Sequence, residues 1–277
     1  MADRISSAAG EYAAALESLR SARMGTELIA PLLYSLVRST RAQRVLEIGA
    51  GQTTLALLKG LDDNRRDIMR ERAQLAAKQR GFDPDWLVDE RAVERDQDDV
   101  VEWLAAEPAL VDPRFFDRDY APRCVSIDDV SSPFSRAPAV DAAAQRAGLN
   151  ELLDLRLADF RDVADAEGIR EPAFDLVWFD CGGHVEYRDF LSLYWDHVTP
   201  AGGMIVLRYT LTVPAHERVL ADLERERREG RTGSFELLSI LEPHKLMQNS
   251  CTLIRRCEAP APRYAVTRPI SLERSGW

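Results

Sequence analysis

The chain has 277 residues, 45% hydrophobic and 30% charged, enough to bury a large core in one elaborated domain or two small ones. A formal charge of −10 argues against a general affinity for nucleic acid, whose phosphates demand a basic surface. No apolar run approaches membrane-spanning length, residues 1–6 lack a signal-peptide core, and Cys124, Cys181, Cys251 and Cys257 show no metal-ligand spacing, so reduced thiols in a cytoplasmic protein are expected.

In chain order, the spacing predicts a helix over 8–20 with Tyr12, Leu16 and Leu19 on one stripe. Thr26 is placed to cap a second helix that buries Leu28, Ile29, Leu32, Leu33, Leu36 and Val37, with Pro31 as the point where it would kink. A strand over 45–48 then passes through Gly49 and Gly51 straight into a helical pattern. From Asp62 to about Arg118 the composition changes: 64–80 and 90–107 are charge-rich helical patterns, followed by an irregular, aromatic-bearing connector over 112–120. After it strands and helices alternate: strand 124–127, helix 137–147, strand 152–157, strand 174–179, helix 185–198, strand 204–207 and helix 214–228. Segments 235–241 and 250–254 leave no room for a helix between them and should pair antiparallel. The pattern implies an α/β fold, a mostly parallel sheet with helices on both faces.

The stretch from Arg44 to Leu58 carries the chemistry. A strand, a glycine turn and a helix N-terminus in that order suit a nucleotide: glycines admit close backbone approach, and the helix start offers N–H groups. A dinucleotide turn wants Gly-x-Gly-x-x-Gly, and here the third position is Thr54. The carboxylate of Glu47 beside the turn would repel a pyrophosphate but suits a ligand with an ammonium group and ribose hydroxyls, such as S-adenosylmethionine (SAM).

Together these pieces resemble a class I SAM-dependent methyltransferase over residues 24–60 and 120–257. The resemblance implies a Rossmann-like seven-stranded sheet, mostly parallel and closed by an antiparallel hairpin. It divides the chain into N-terminal helices (1–40), a SAM-binding core (41–61 and 119–258), a helical insertion (62–118) and a tail (259–277). Glu47, Gly49 and Gly51 match the family's first motif, with Thr53 beside it in the cofactor-binding set. Asp128, ending the second strand, would grip the ribose hydroxyls; it lies 81 residues beyond Glu47, against about 20 in a plain fold, because of the insertion. By the same resemblance Asp159 would accept from the adenine amino group, Phe160 would cover the ring, and Asp180 would lie near the methionine end. Residues 199–203 match the turn before the fifth strand.

The run from Asp180 through His184 to Tyr187 is similar to a small-molecule subset with an Asp-x-x-His-x-Tyr pattern, with one additional residue before His184. His184 is the expected base and Asp180 the second catalytic candidate. Arg208, Tyr209 and Tyr187 are candidates for the substrate pocket; an Arg208–Asp180 salt bridge is the alternative use of that guanidinium. His216 and His244, after the fifth and sixth strands, are further candidates to face substrate. Metal-dependent relatives carry Asp or Asn ligands after the fifth strand. A cation in that place, Arg208, implies a metal-independent enzyme. The expectation is O- or N-methylation of a small molecule of specialised, biosynthetic character, with no nucleic-acid or membrane partner. The insertion would serve as a lid or a homodimer contact. The competing readings are a nicotinamide-dependent oxidoreductase and a non-catalytic interaction protein on the same fold.

Overall fold

The computed structural model describes residues 2–21, 28–80, 103, 105–106, 111–171 and 173–258. Thr26 and nearly all of the expected helix over 90–107 lie outside the described residues. Described residues within 1–64 and 121–259 form one compact unit, and those within 65–120 a second.

In the first unit, helices α1 (Ala2–Ser18) and α2 (Ile29–Thr40) precede strand β1 (Arg44–Ile48) and the part of helix α3 (Gln52–Arg80) up to Asn64; the rest of α3 belongs to the second unit. Then follow β2 (Arg123–Ile127), α4 (Ala137–Arg146), β3 (Leu153–Arg156), the single turn α5 (Phe160–Val163), β4 (Leu176–Phe179) and α6 (His184–Tyr194). The chain continues with β5 (Ala201–Arg208), α7 (Pro214–Arg228), β6 (Phe235–Leu241) and β7 (Ser250–Cys257). The seven strands lie in the order β3-β2-β1-β4-β5-β7-β6. All neighbours are parallel except β5–β7 and β6–β7. The closing hairpin thus folds β7 back between β5 and β6, as the missing helix between the last two strands requires.

Alternation along each strand feeds two cores. Val45, Cys124, Leu176, Trp178 and Val206 pack on one face with Leu33 and Val37 of α2, Leu55 and Leu58 of α3, and Val140 of α4. Leu46, Ile48, Ile127, Phe179 and Leu207 pack on the other with Phe190 and Tyr194 of α6 and Val219 of α7. Each such side chain, fully buried, contributes about 1.5–3 kcal/mol, which explains why the central strands read as continuous apolar runs.

Two sequence expectations change. The expected charge-rich helix over 64–80 is not a separate element: α3 runs unbroken to Arg80 because no proline or glycine interrupts it after Gly60. Its polar midpoint is used structurally. Asn64 is buried, donates to Val37 O at 2.8 Å and accepts from Arg38 Nη1 at 2.6 Å, fixing α3 to the end of α2. Strand β4 starts at Leu176 rather than 174, because the Asp175 carboxylate turns to accept from the backbone N–H groups of Gln43 and Arg44 at 2.8 and 3.0 Å. In the second unit, Ile68, Leu75 and Phe116 bury one another beside Val111 and Tyr120.

Candidate functional site

Strand β1 ends against a tight turn. Gly49 has φ of 101°, and a Cβ there would lie 2.6 Å from Asp180 O, so only glycine allows the turn to press on the end of β4. A Cβ on Gly51 would meet nothing within 4 Å. Glu47 points to the α3 face of the sheet, fully buried. Its carboxylate accepts from Thr53 Oγ1 at 2.6 Å, Thr54 Oγ1 at 2.5 Å and Ser126 Oγ at 2.6 Å. Burial pushes its pKa up to about 7 although the three hydroxyls pull it down, with the charge of Asp180 adding to the rise.

The acids after β2 and β3 sit at strand ends. Asp128 Oδ2 accepts from Ala50 N at 3.0 Å, and Oδ1 from Val130 N at 2.8 Å and Ser135 Oγ at 3.0 Å. Asp159 caps α5 by accepting from Arg161 N at 2.8 Å. The Arg161 guanidinium pairs with Asp159, Asp189 and Glu186 and lies 4.6 Å over the Phe160 ring.

At the end of β4 the Asp180 carboxylate is 7% exposed and accepts from Arg208 Nη1 at 2.6 Å. Burial pushes Asp180 up to about 6, although the Arg208 guanidinium beside it favours the charged form. Arg208 is wholly buried and lies 4.4 Å over the ring of Tyr209, whose φ of 59° is left-handed. Tyr187 donates its hydroxyl to Arg208 O and stacks on the buried His216, whose Nδ1 is 3.1 Å from Tyr209 O.

These strand ends surround a cavity of about 330 Å³, within the range of small-ligand sites. It opens beyond the carboxyl ends of β1 to β4, where the sheet order reverses direction between β1 and β4. Of the expected residues, Gly49, Gly51, Thr53, Asp128, Asp159, Phe160, Asp180 and Tyr209 line it. Glu47, Arg208 and Tyr187 do not. Glu47 is turned toward hydroxyl groups behind the turn, Arg208 is drawn under Asp180 by charge, and Tyr187 is 1% exposed against the β5 carbonyl. His216 is also off the wall, held behind Tyr209, and His244 is exposed in the β6–β7 turn. His184 opens α6; its side chain lies outside the described residues.

Several wall residues escaped sequence reasoning. Gln52 and Glu186 belong to stretches already singled out, 44–58 and 180–187, whereas Ser131 and Ser135 lie in the loop between β2 and α4. Leu19 and Ser21 come from the segment that follows α1, and nothing in their local sequence announces this.

No family model matches the chain, and no curated protein matches it in sequence. Solved structures match it in shape. The O-methyltransferase TomG from Streptomyces achromogenes, involved in tomaymycin synthesis and crystallised with SAM, is 16% identical with a TM-score of 0.55, over 90% of this chain and 89% of that one. Cofactor-bound Rv0187 from MTB is 16% identical with a TM-score of 0.52, over 91% and 90%. The O-methyltransferase from Bacillus cereus in complex with S-adenosylhomocysteine (SAH) is 13% identical with a TM-score of 0.50, over 91% and 90%. Seven strands in this order, a glycine turn after β1 and an acid ending β2 give the chain the Rossmann-like fold of the class I SAM-dependent methyltransferases.

Proposed function

We propose that the protein is a SAM-dependent methyltransferase that transfers a methyl group to an oxygen of a small molecule. The observation that carries this reading is the cavity itself, bounded by a glycine turn after β1 and by Asp128, Asp159 and Asp180 after β2, β3 and β4. Carboxylates at all three positions suit ribose hydroxyls, an adenine amino group and a cationic centre, and they oppose a pyrophosphate. Oxygen is preferred to nitrogen as the acceptor atom because the structural neighbours TomG and the Bacillus cereus protein are O-methyltransferases. TomG's part in tomaymycin synthesis favours an acceptor of specialised, biosynthetic metabolism.

Bound SAM supplies an electrophilic methyl group on a sulfonium. The chain's task is to hold that methyl in line with an acceptor hydroxyl and to accept the hydroxyl proton. Asp128 binds the ribose, Asp159 the adenine amino group, and Phe160 packs beside the base; Gly49 and Gly51 let the backbone approach. Thr53 completes the turn wall, and Tyr209 lines the acceptor end. His184 is the proton acceptor, and Asp180, paired with Arg208, bounds the methionine end. The transfer is metal-independent in this reading, because Arg208 already gives Asp180 the cation that a divalent metal would otherwise provide.

Calorimetric titration with SAM, SAH and NADH tests the cofactor. Micromolar binding of both sulfur ligands and no heat from NADH is expected; heat from NADH alone would move the protein to the nicotinamide oxidoreductases. With an acceptor in hand, His184→Ala should slow turnover and leave SAM affinity unchanged, and full activity would remove His184 as a base.

A further inference from the structure

Two helices converge on the end of β5. Tyr187 of α6 and His216 of α7 stack on each other, with ring centroids 4.3 Å apart and planes 21° from parallel. Each ring bonds a main-chain carbonyl, and the two carbonyls are successive. The Tyr187 hydroxyl donates to Arg208 O, and His216 Nδ1 lies 3.1 Å from Tyr209 O. A carbonyl oxygen only accepts, so His216 carries a proton on Nδ1.

In an extended strand successive carbonyls point to opposite sides, where two rings 4.3 Å apart could not reach both. The chain meets the stacked pair by turning. Tyr209 has φ of 59°, a left-handed backbone that costs free energy in any residue with a Cβ. Such strain persists only where the surroundings over-determine it. Here they do: Tyr209 N donates to Ser250 O of β7 at 2.8 Å, while the two rings hold the carbonyls on either side of the Tyr209 Cα. The turn decides where the Tyr209 ring goes. It lies 4.4 Å from the Arg208 guanidinium, next to the Arg208–Asp180 pair, and it lines the cavity, whereas Tyr187 and His216 are buried behind it.

We propose that Tyr187 and His216 are positioning residues for Tyr209: the stacked pair locks the left-handed turn, and the turn holds the Tyr209 ring as a wall at the acceptor end of the cavity. The use of that ring rests on the methyltransferase reading above; what holds the ring does not.

The test is fluorine NMR of the whole chain labelled with fluorotyrosine. The Tyr209 resonance, one of seven, is assigned by its loss in Tyr209→Phe, and urea-unfolded protein marks the position of a free ring. In His216→Leu the Tyr209 resonance is expected to move toward that position while those of Tyr12 and Tyr34, on α1 and α2, stay in place. His216→Asn, whose amide nitrogen stands where Nδ1 stood, is expected to restore it. Tyr187→Phe removes one hydroxyl and keeps the stack, so it should give a smaller shift of the same sign. This variant decides the matter if circular dichroism shows that His216→Leu does not fold. Saturating SAH should shift the Tyr209 resonance in the wild type and in His216→Asn, and leave it unmoved in His216→Leu.

A Tyr209 resonance indifferent to His216→Leu and Tyr187→Phe would overturn the proposal. So would His216→Asn behaving as His216→Leu does, or all tyrosine resonances moving alike, which marks general loosening. SAH that binds the wild type by calorimetry without moving the Tyr209 resonance would take the ring off the wall and overturn it too. A wild-type protein that binds neither SAH nor SAM removes the cofactor reading, and the NMR comparison of the variants still decides what holds Tyr209.

Discussion

Thr54 stands where a dinucleotide turn carries its third glycine, and its hydroxyl donates to Glu47 at 2.5 Å while accepting from Gly51 N at 3.0 Å. The residue that breaks one glycine pattern is therefore the one that ties the turn to the strand acid. Thr53 and Ser126 complete a closed polar group around Glu47, which has no exposed surface.

The Glu47 site makes stability depend on pH. Its pKa is raised from an ordinary 4.5 to about 7, so its contribution is fully present below about pH 4.5 and is lost as pH rises through 7. Glu47→Gln removes the ionisation and keeps the shape. Relative to wild type, the variant should gain about 1–3 kcal/mol in urea unfolding between pH 5 and pH 8. A difference independent of pH would show that Glu47 keeps an ordinary pKa.

The two turn glycines should respond differently to alanine. At Gly49 a Cβ meets Asp180 O at 2.6 Å in a left-handed backbone, so Gly49→Ala should cost about 1–3 kcal/mol of stability. At Gly51 the space is open and φ is not left-handed, so Gly51→Ala should unfold within about 0.5 kcal/mol of wild type yet bind SAH more weakly, because the added methyl enters the cavity. Equal losses of stability in the two variants would contradict the geometry.

Arg208 and Asp180 form a pair almost wholly out of water, at 2.6 Å. Removing only the cation leaves a buried carboxylate, already raised to about 6, without its counter-charge. Arg208→Met should therefore destabilise the protein by about 3–5 kcal/mol, and Arg208→Met combined with Asp180→Leu should recover part of that loss. Simple additivity of the two single changes would show that the pair is not coupled.

Much of this was legible before the structure. Strand periodicity placed the sheet and its closing hairpin; Asp128 was marked by the apolar run that it ends, and Asp159 and Asp180 by their match to strand-end positions of the family. What the sequence hides is direction. Arg208 and Tyr209 are neighbours at the end of β5, yet Tyr209 lines the cavity while Arg208 is drawn behind Asp180, a choice made by charge pairing across two strands. Asp180, the partner, lies 28 residues away. Tyr187 has a similar history: it reads as a pocket aromatic, but its hydroxyl satisfies the Arg208 carbonyl from α6. The unbroken α3 was obscured by its change of composition at Asp62, since charge density alters which face is wet and does not end a helix.

Asp128 is the sharpest test of the cofactor geometry, because it has two duties. Its Oδ2 holds the turn through Ala50 N, and its Oδ1 orders the following loop through Val130 N and Ser135 Oγ. A ribose gripped by the same carboxylate adds charge-assisted bonds of about 1.5–3 kcal/mol, so Asp128→Ala should weaken SAH binding by about 10- to 100-fold. Loop disorder alone could produce a loss, and Ser135→Ala separates the two effects. That change releases the bond to Asp128 and the one Ser135 Oγ accepts from Ala137 N but leaves the carboxylate in place, so SAH affinity should stay within about threefold of wild type. Calorimetry on both variants decides: a large loss in Asp128→Ala with little change in Ser135→Ala assigns the ribose contact to the carboxylate, whereas equal losses assign it to the order of the loop.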